Sequence, residues 1–156
     1  MFTIREQQRV PFFYAIVNPI LHFLVLRFGI GTHGAQDVLR ILRVRGRKSG
    51  RIYETPVRIA NWNGQRYVIS MLGKSQWVRN LRADGDVQLL ANRMIEPVHA
   101  SEVVGKDKTA FLTWYCLHPE FAQRARYALK VNTDRLTSVE IERLCQLWPV
   151  FRLQGT

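Results

Sequence analysis

Asn61-Trp62-Asn63-Gly64 lies between two segments rich in β-branched and aromatic residues, and it commits this chain to antiparallel strands. Asn-Gly tolerates the positive φ of a tight turn, and such a turn joins neighbouring antiparallel strands. Ile52, Thr55, Val57 and Ile59 mark the incoming strand, Arg51 to Ala60, and Tyr67, Val68 and Ile69 its return over Gln65 to Leu72. Val38 to Val44 reads as a strand ahead of them. Asp86 to Ala91 and Met94 to Val104 read as a second hairpin around Asn92-Arg93. Ser75 is a plausible N-cap for a short helix to Ala83, ended by Asp84-Gly85. Thr109 to Cys116 and Pro119 to Lys130 predict helices, and Gln146 to Leu153 a closing strand. With 156 residues, 47% of them apolar, the chain reads as a single α+β domain over 1–156.

The segment 10–30 is strongly apolar and is interrupted by Asn18-Pro19, an N-cap followed by a first helical residue. A helix from Pro19 to Phe28 would be about 15 Å long, too short to span a bilayer. His22 and Arg27 weaken a transmembrane reading further. Packing on the body of the domain and a monotopic membrane contact both remain open. No small-residue cleavage site follows, so no secretory leader is expected.

The second informative stretch is Gly46-Arg47-Lys48-Ser49-Gly50-Arg51. Six of the twelve residues from Arg40 to Arg51 are Arg or Lys and none is acidic. Adjacent cations and a hydroxyl between two glycines make a turn suited to phosphate. The spacing is not that of a P-loop. A net charge of +11 likewise points to an anionic partner: nucleic acid, an acidic membrane surface or a polyanionic cofactor. Cys116 and Cys145 are far apart and no Cys/His cluster has zinc spacing, so no metal site is expected. Neither a nucleophile triad nor a carboxylate pair stands out. A recognition helix, zinc module or RNP-like aromatic set is also missing, which argues against nucleic acid as the partner.

Trp77, Asn80 and Leu81 fall at i, i+3 and i+4 of the short helix and share a face, with Arg79 and Arg82 pointing elsewhere. Trp77 and Leu81 suit a core, and Asn80 is the anomaly. A buried Asn must have partners, and ordering a turn or binding a ligand are both open to it.

Leu42-Arg43-Val44-Arg45-Gly46-Arg47-Lys48-Ser49-Gly50-Arg51, Thr55-Pro56-Val57, Asn63-Gly64, Val68-Ile69-Ser70 and Trp77-Val78-Arg79-Asn80-Leu81 follow one another in this order. Over roughly residues 18 to 104 the chain thereby resembles the deazaflavin-dependent nitroreductase and quinone reductase family. The resemblance implies a split β-barrel of the FMN-binding kind, with its core over 36–104. The residue pattern adds an N-terminal helix, a short helix after the third strand and C-terminal helices, with 105–156, beyond the stretch the resemblance covers, a helical tail and closing strand. The resemblance also implies reduced coenzyme F-420 (8-hydroxy-5-deazaflavin) as hydride donor to a quinone, a nitroaromatic or another activated double bond.

Carried over by position, Arg47, Lys48, Ser49 and Gly50 would hold the phosphate and oligoglutamate tail. Pro56 and Val57 would flank the ring, Ser70, Met71 and Gly73 would offer main-chain donors to it, and Trp77, Arg79 and Asn80 would complete the pocket. The loop before the Trp helix is shorter than in the best-known members, and Lys74 is the candidate to replace a missing cation. Tyr115 and Tyr127 are candidates for protonating the acceptor, beside His118 and water. FMN is the alternative cofactor, and a non-catalytic cofactor- or lipid-binding barrel the alternative role. The expected partners are the anionic deazaflavin and a small hydrophobic acceptor, in a monomer or homodimer. The expected location is the cytoplasm, with peripheral contact at the inner membrane face as a further possibility.

Overall fold

Strand β1, Asp37–Arg45, is buried on both faces, and the rest of the fold follows from what covers each. The computed structural model describes residues 19–20, 22–24, 37–71, 73–129 and 133–156, the side chains of 127–129 and 135 excepted. Val38, Leu42 and Val44 face the main core, whereas Leu39 and Ile41 form a separate cluster with Leu90. Period-2 alternation produces this split, since successive side chains leave a strand on opposite faces.

β1 pairs with β2 (Ile52–Trp62) from Asp37↔Ala60 to Arg45↔Ile52, and β2 pairs with β3 (Gln65–Ile69). The turn between β2 and β3 has Asn63 at φ 49° and Gly64 at φ 70°, both in the left-handed region that the sequence demands there. β4 (Asp86–Ala91) and β5 (Met94–Glu102) make the second hairpin, with Asn92 at φ 55°. The last strand, β6 (Val150–Gly155), inserts between β3 and β5, and β4 pairs with β1. The result is a closed antiparallel barrel in the order β1-β2-β3-β6-β5-β4. This is the split-barrel architecture expected, although its sixth strand comes from beyond residue 104.

The strand directions give the barrel two different ends. Both hairpin turns lie at one end. The basic turn, the connection from β3 to β4, and the exits into and out of the helical tail lie at the other. Helix α1 (Gln76–Ala83) plugs that second end, with Val78 at 0% and Leu81 at 2% exposure in the barrel core. Burying a Leu this fully contributes about 1.5–3 kcal/mol, which holds α1 and everything it carries against the strands.

Helices α2 (Gly105–Leu117), α3 (Pro119–Leu129) and α4 (Ser138–Leu147) cover the outer face of β3 and β6. Phe111, Phe121, Leu144 and Trp148 pack there on Tyr67 and Val150. Helix α4 is a correction, because Gln146 and Leu147 belong to a helix and the closing strand begins only at Val150. A capping box starts that helix: Glu140 N–H donates to Thr137 Oγ1 (3.2 Å) and Thr137 N–H to Glu140 Oε2 (2.8 Å). Ser75 sits at the N-cap of α1 as expected but makes no side-chain cap bond. Its hydroxyl instead pairs with that of Ser70 at 2.9 Å.

Residues 19–20 and 22–24 are helical, and His22 Nε2 meets Glu54 Oε2 on β2 at 2.6 Å. That contact ties the segment to the barrel, with Ile20 and Phe23 exposed. The remainder of the 10–30 expectation lies outside the described residues. No described helix is long and apolar enough to cross a membrane.

Candidate cofactor site

The connection from β1 to β2 closes on itself through Gly46 N–H to Arg51 O (2.7 Å) and Gly50 N–H to Gly46 O (2.8 Å). Gly46 is buried beneath Tyr53, and a Cβ there would come within 2.5 Å of the Tyr53 ring. Gly50 has φ 66°, which favours glycine for a different reason. Ser49 Oγ accepts the Arg51 N–H at 3.2 Å and lies 3.2 Å from the Tyr53 hydroxyl. Arg45, Arg47, Lys48 and Arg51 are all exposed around this closed loop.

Asn80 fastens the turn to α1. It is 5% exposed, and its Oδ1 accepts both the Arg47 main-chain N–H (3.3 Å) and Arg47 Nη1 (2.9 Å). Arg47 Nη1 also reaches Gln76 Oε1 at 3.2 Å. Of the two roles open to Asn80, ordering a turn is the one observed. Among the described residues, Arg45, Arg47, Lys48, Arg51, Lys74 and Arg79 take part in no ion pair, whereas Arg43 and Arg82 are bound by Glu54 and Glu102. A row of cations with no carboxylate against it suits a phosphate or a polycarboxylate through side-chain charge, since the N–H groups of Gly46, Arg47, Gly50 and Arg51 are already bonded within the protein.

Ser70, Met71 and Gly73 follow β3 at the same end. Ser70 is 3% exposed and its N–H donates to Pro149 O at 3.0 Å. Gly73, at φ 62°, donates its N–H to Ser70 O at 3.3 Å. Two of the three expected main-chain donors are thus engaged by protein carbonyls, while Met71 N–H makes no main-chain hydrogen bond among the described residues. Trp77 lies half-buried against the barrel core, its ring 6.3 Å from Phe151. Lys74 and Arg79 are exposed beside it.

Pro56 and Val57 stand farther along β2. Val57 is 7% exposed in the barrel interior, and Pro56 pairs with Ile41 on the outer face. The structure therefore gathers the basic turn, the 70–75 connection and α1 at one end, and leaves these two side chains on the barrel wall.

Tyr115 is 4% exposed and stacks on Phe121 with ring centroids 4.5 Å apart. Burial pushes its phenol up to about 12, despite the neighbouring Arg124. A phenol so placed stays protonated and gives up its proton reluctantly. Tyr127 is on α3, and its side chain lies outside the described residues. His118 packs between Trp114 and Phe121. No group of three or more potential metal ligands occurs among the described residues.

Two members of the site were not anticipated, Tyr53 and Gln76. Tyr53 had a legible signal, since it lies two residues beyond Arg51 on a strand that starts at the turn. Gln76 shows nothing in sequence beyond its place in the first turn of α1.

The sequence pattern of the F420H(2)-dependent quinone reductase family matches residues 27–142. Among solved structures, a domain-swapped dimer is similar over 92% of this chain and 99% of its own, at 18% identity and TM-score 0.52. A protein of unknown function from Agrobacterium tumefaciens is similar over 77% of this chain and 49% of its own, at 14% identity and TM-score 0.51. An F420-H2 dependent reductase covers 74% of this chain and 93% of its own, at 18% identity and TM-score 0.48. At these identities the first two likenesses speak to the fold alone. No curated protein matches the chain.

Proposed function

This chain belongs to the F420H(2)-dependent quinone reductase family and is an F420-dependent reductase, and we propose that it passes a hydride from the reduced deazaflavin to a quinone, with the basic turn as the coenzyme's anchor. The observation that carries this reading is the cation row, unopposed among the described residues, on a turn pinned by Asn80. The coenzyme supplies the hydride chemistry, and the protein supplies orientation, charge and exclusion of water.

Within that reading, Lys48, Arg45 and Arg51 meet the phosphate and the glutamate carboxylates as mobile surface charges. Arg47 is held in place by Asn80 and Gln76 and offers its remaining guanidinium N–H groups in a fixed direction. Gly50 and Ser49 shape the loop that bears these groups, and Lys74 and Arg79 extend the positive field along α1. Trp77 and Met71 give apolar surface for the ring edge. Tyr115 acts as a packing residue.

A second reading concerns location. Ile20 and Phe23 are 55% and 59% exposed on a stretch tethered by His22 to Glu54. They favour peripheral contact with a cytoplasmic membrane face, where quinones dissolve. Flotation with anionic vesicles tests it. The parent should float at low salt and Ile20→Ser/Phe23→Ser should not, and equal flotation of the two would refute it.

The redox reading is tested by mixing the reduced coenzyme with catalytic amounts of protein and either duroquinone or a nitroaromatic. Recovery of the oxidised coenzyme's visible absorbance, faster with the quinone, is expected. No protein-dependent recovery with either acceptor would refute it.

A further inference from the structure

At the barrel end that carries the basic turn, the first two turns of α2 and the last two of α4 leave a groove of about 720 Å³ between them. Its size is that of a small-molecule site. Val104, Gly105, Ala110 and Cys145 make much of its wall, and Lys106, Lys108 and Glu142 bring charge to it, Lys106 exposed and Lys108 half-buried. Thr109 Oγ1 lies 3.6 Å from Cys145 Sγ, so one wall hydroxyl is in contact with the opposite helix.

The Gln146 end of the groove wall adjoins the 70–75 connection through Leu147. Gly73 packs so closely on Leu147 that a Cβ would lie 3.0 Å from the Leu147 carbonyl oxygen, and Leu147 directly follows Gln146 of the groove wall. Ser70 N–H is bonded to Pro149 O two residues farther on. From the other side, Arg82 of α1 grips Glu102, at the end of the strand that leads into α2, with bonds of 2.6 and 2.8 Å. At its Gln146 end, a molecule in the groove would therefore border the 70–75 connection, read above as part of the coenzyme's ring site.

We propose that this groove receives the electron acceptor, a quinone or a similar apolar dicarbonyl ring, and that Lys108 is the group that protonates it. The inference rests on the reading of the chain as a deazaflavin-coupled reductase. Apolar and small walls suit the neutral oxidised ring, and a cation beside them suits the anion formed on reduction. The acceptor takes two electrons and one proton as hydride from the reduced coenzyme. Its resulting oxyanion takes the second proton from Lys108 Nζ. Water reprotonates Lys108, and one proton passes from the oxidised coenzyme to solvent.

Lys108 is half-buried and forms no ion pair among the described residues. Burial pushes its ammonium down, while Cys145 and Glu102 pull it up and Arg82 pushes it down again. Lys106 and Asp107 on its own helix and Glu142 on α4 complete the charged surroundings. Glu102 is already bound to Arg82, which leaves Lys108 available to a guest.

Cys145 lines the groove and gives a readout that needs no turnover, while Cys116 is fully buried and serves as a silent control. The full chain is treated with iodoacetamide, with and without duroquinone, whose substituted ring does not add thiols, and with and without oxidised coenzyme. At a duroquinone concentration about ten times its Kd, labelling of Cys145 should slow about tenfold. Unchanged labelling in both coenzyme states would overturn the groove assignment, even in a protein that turns over. Loss of turnover alone would instead indict the redox reading.

For the lysine, Lys108→Arg should lower kcat about tenfold or more at neutral pH, with KM for duroquinone little changed. It should also remove a decline in kcat at high pH that the parent shows. Parent-like kcat and pH profile in Lys108→Arg would overturn the proton-donor role.

Discussion

Asn80 Oδ1 accepts two hydrogen bonds from one residue, Arg47, through its main-chain N–H at 3.3 Å and its guanidinium at 2.9 Å. The two residues are 33 positions apart, and this contact joins the helix that plugs the barrel to the turn that carries the exposed cations. Asn80→Ala leaves Arg47 without that acceptor and frees the turn. Coenzyme affinity should fall about tenfold, equivalent to about 1.4 kcal/mol. The loss of a buried acceptor should cost about 1–3 kcal/mol of stability. Coenzyme fluorescence titration and urea unfolding measure the two effects separately.

Gly46→Ala places a methyl 2.5 Å from the Tyr53 ring, so the ring or the turn must move. We expect weaker coenzyme binding in Gly46→Ala and recovery of much of it in Gly46→Ala/Tyr53→Ala. The double-mutant cycle should give a coupling of about 0.5–3 kcal/mol. Additive effects would mean that Tyr53 does not set the turn's shape.

Leu81→Ala removes a side chain that is 2% exposed and locks α1 into the barrel core. It should destabilise the protein by about 2–5 kcal/mol in denaturant. The same variant should weaken coenzyme binding, because Asn80 rides on the helix that loosens.

Tyr115 makes a prediction about pH. Its buried phenol is raised to about 12, above the ordinary 10, so the folded state disfavours the phenolate. The stabilising contribution is complete below about pH 10 and is lost as pH rises toward 12. Urea midpoints across that window should fall more steeply for the parent than for Tyr115→Phe. At neutral pH, kcat of Tyr115→Phe should match the parent, as expected of a packing residue.

The strands were legible because their alternation survives in sequence and because Asn63-Gly64 and Asn92 take the positive φ that tight turns need. The turn cations were equally plain. The closing strand was legible as a strand, but its place between β3 and β5 was not, since that is a long-range register that no local pattern encodes. Leu147, Trp148, Val150, Phe151 and Leu153 read as one extended run and absorbed the last turn of α4. The capping box at Thr137 and Glu140 was the available warning. Spacing placed Asn80 on the face of α1 that meets the barrel, but its partner on a distant turn could come only from the fold. The groove beside Lys108 is likewise a product of helix packing, assembled from two segments with no motif in common.

The most direct test of the central claim is titration of the full chain with coenzyme F420 and with FMN in parallel, for the parent and for Arg45→Ala/Lys48→Ala/Arg51→Ala. The account predicts saturable deazaflavin binding tighter than FMN binding, weakened by salt and at least about tenfold by the triple substitution. Preferential binding of FMN, or deazaflavin binding indifferent to the loss of those three charges, would contradict it.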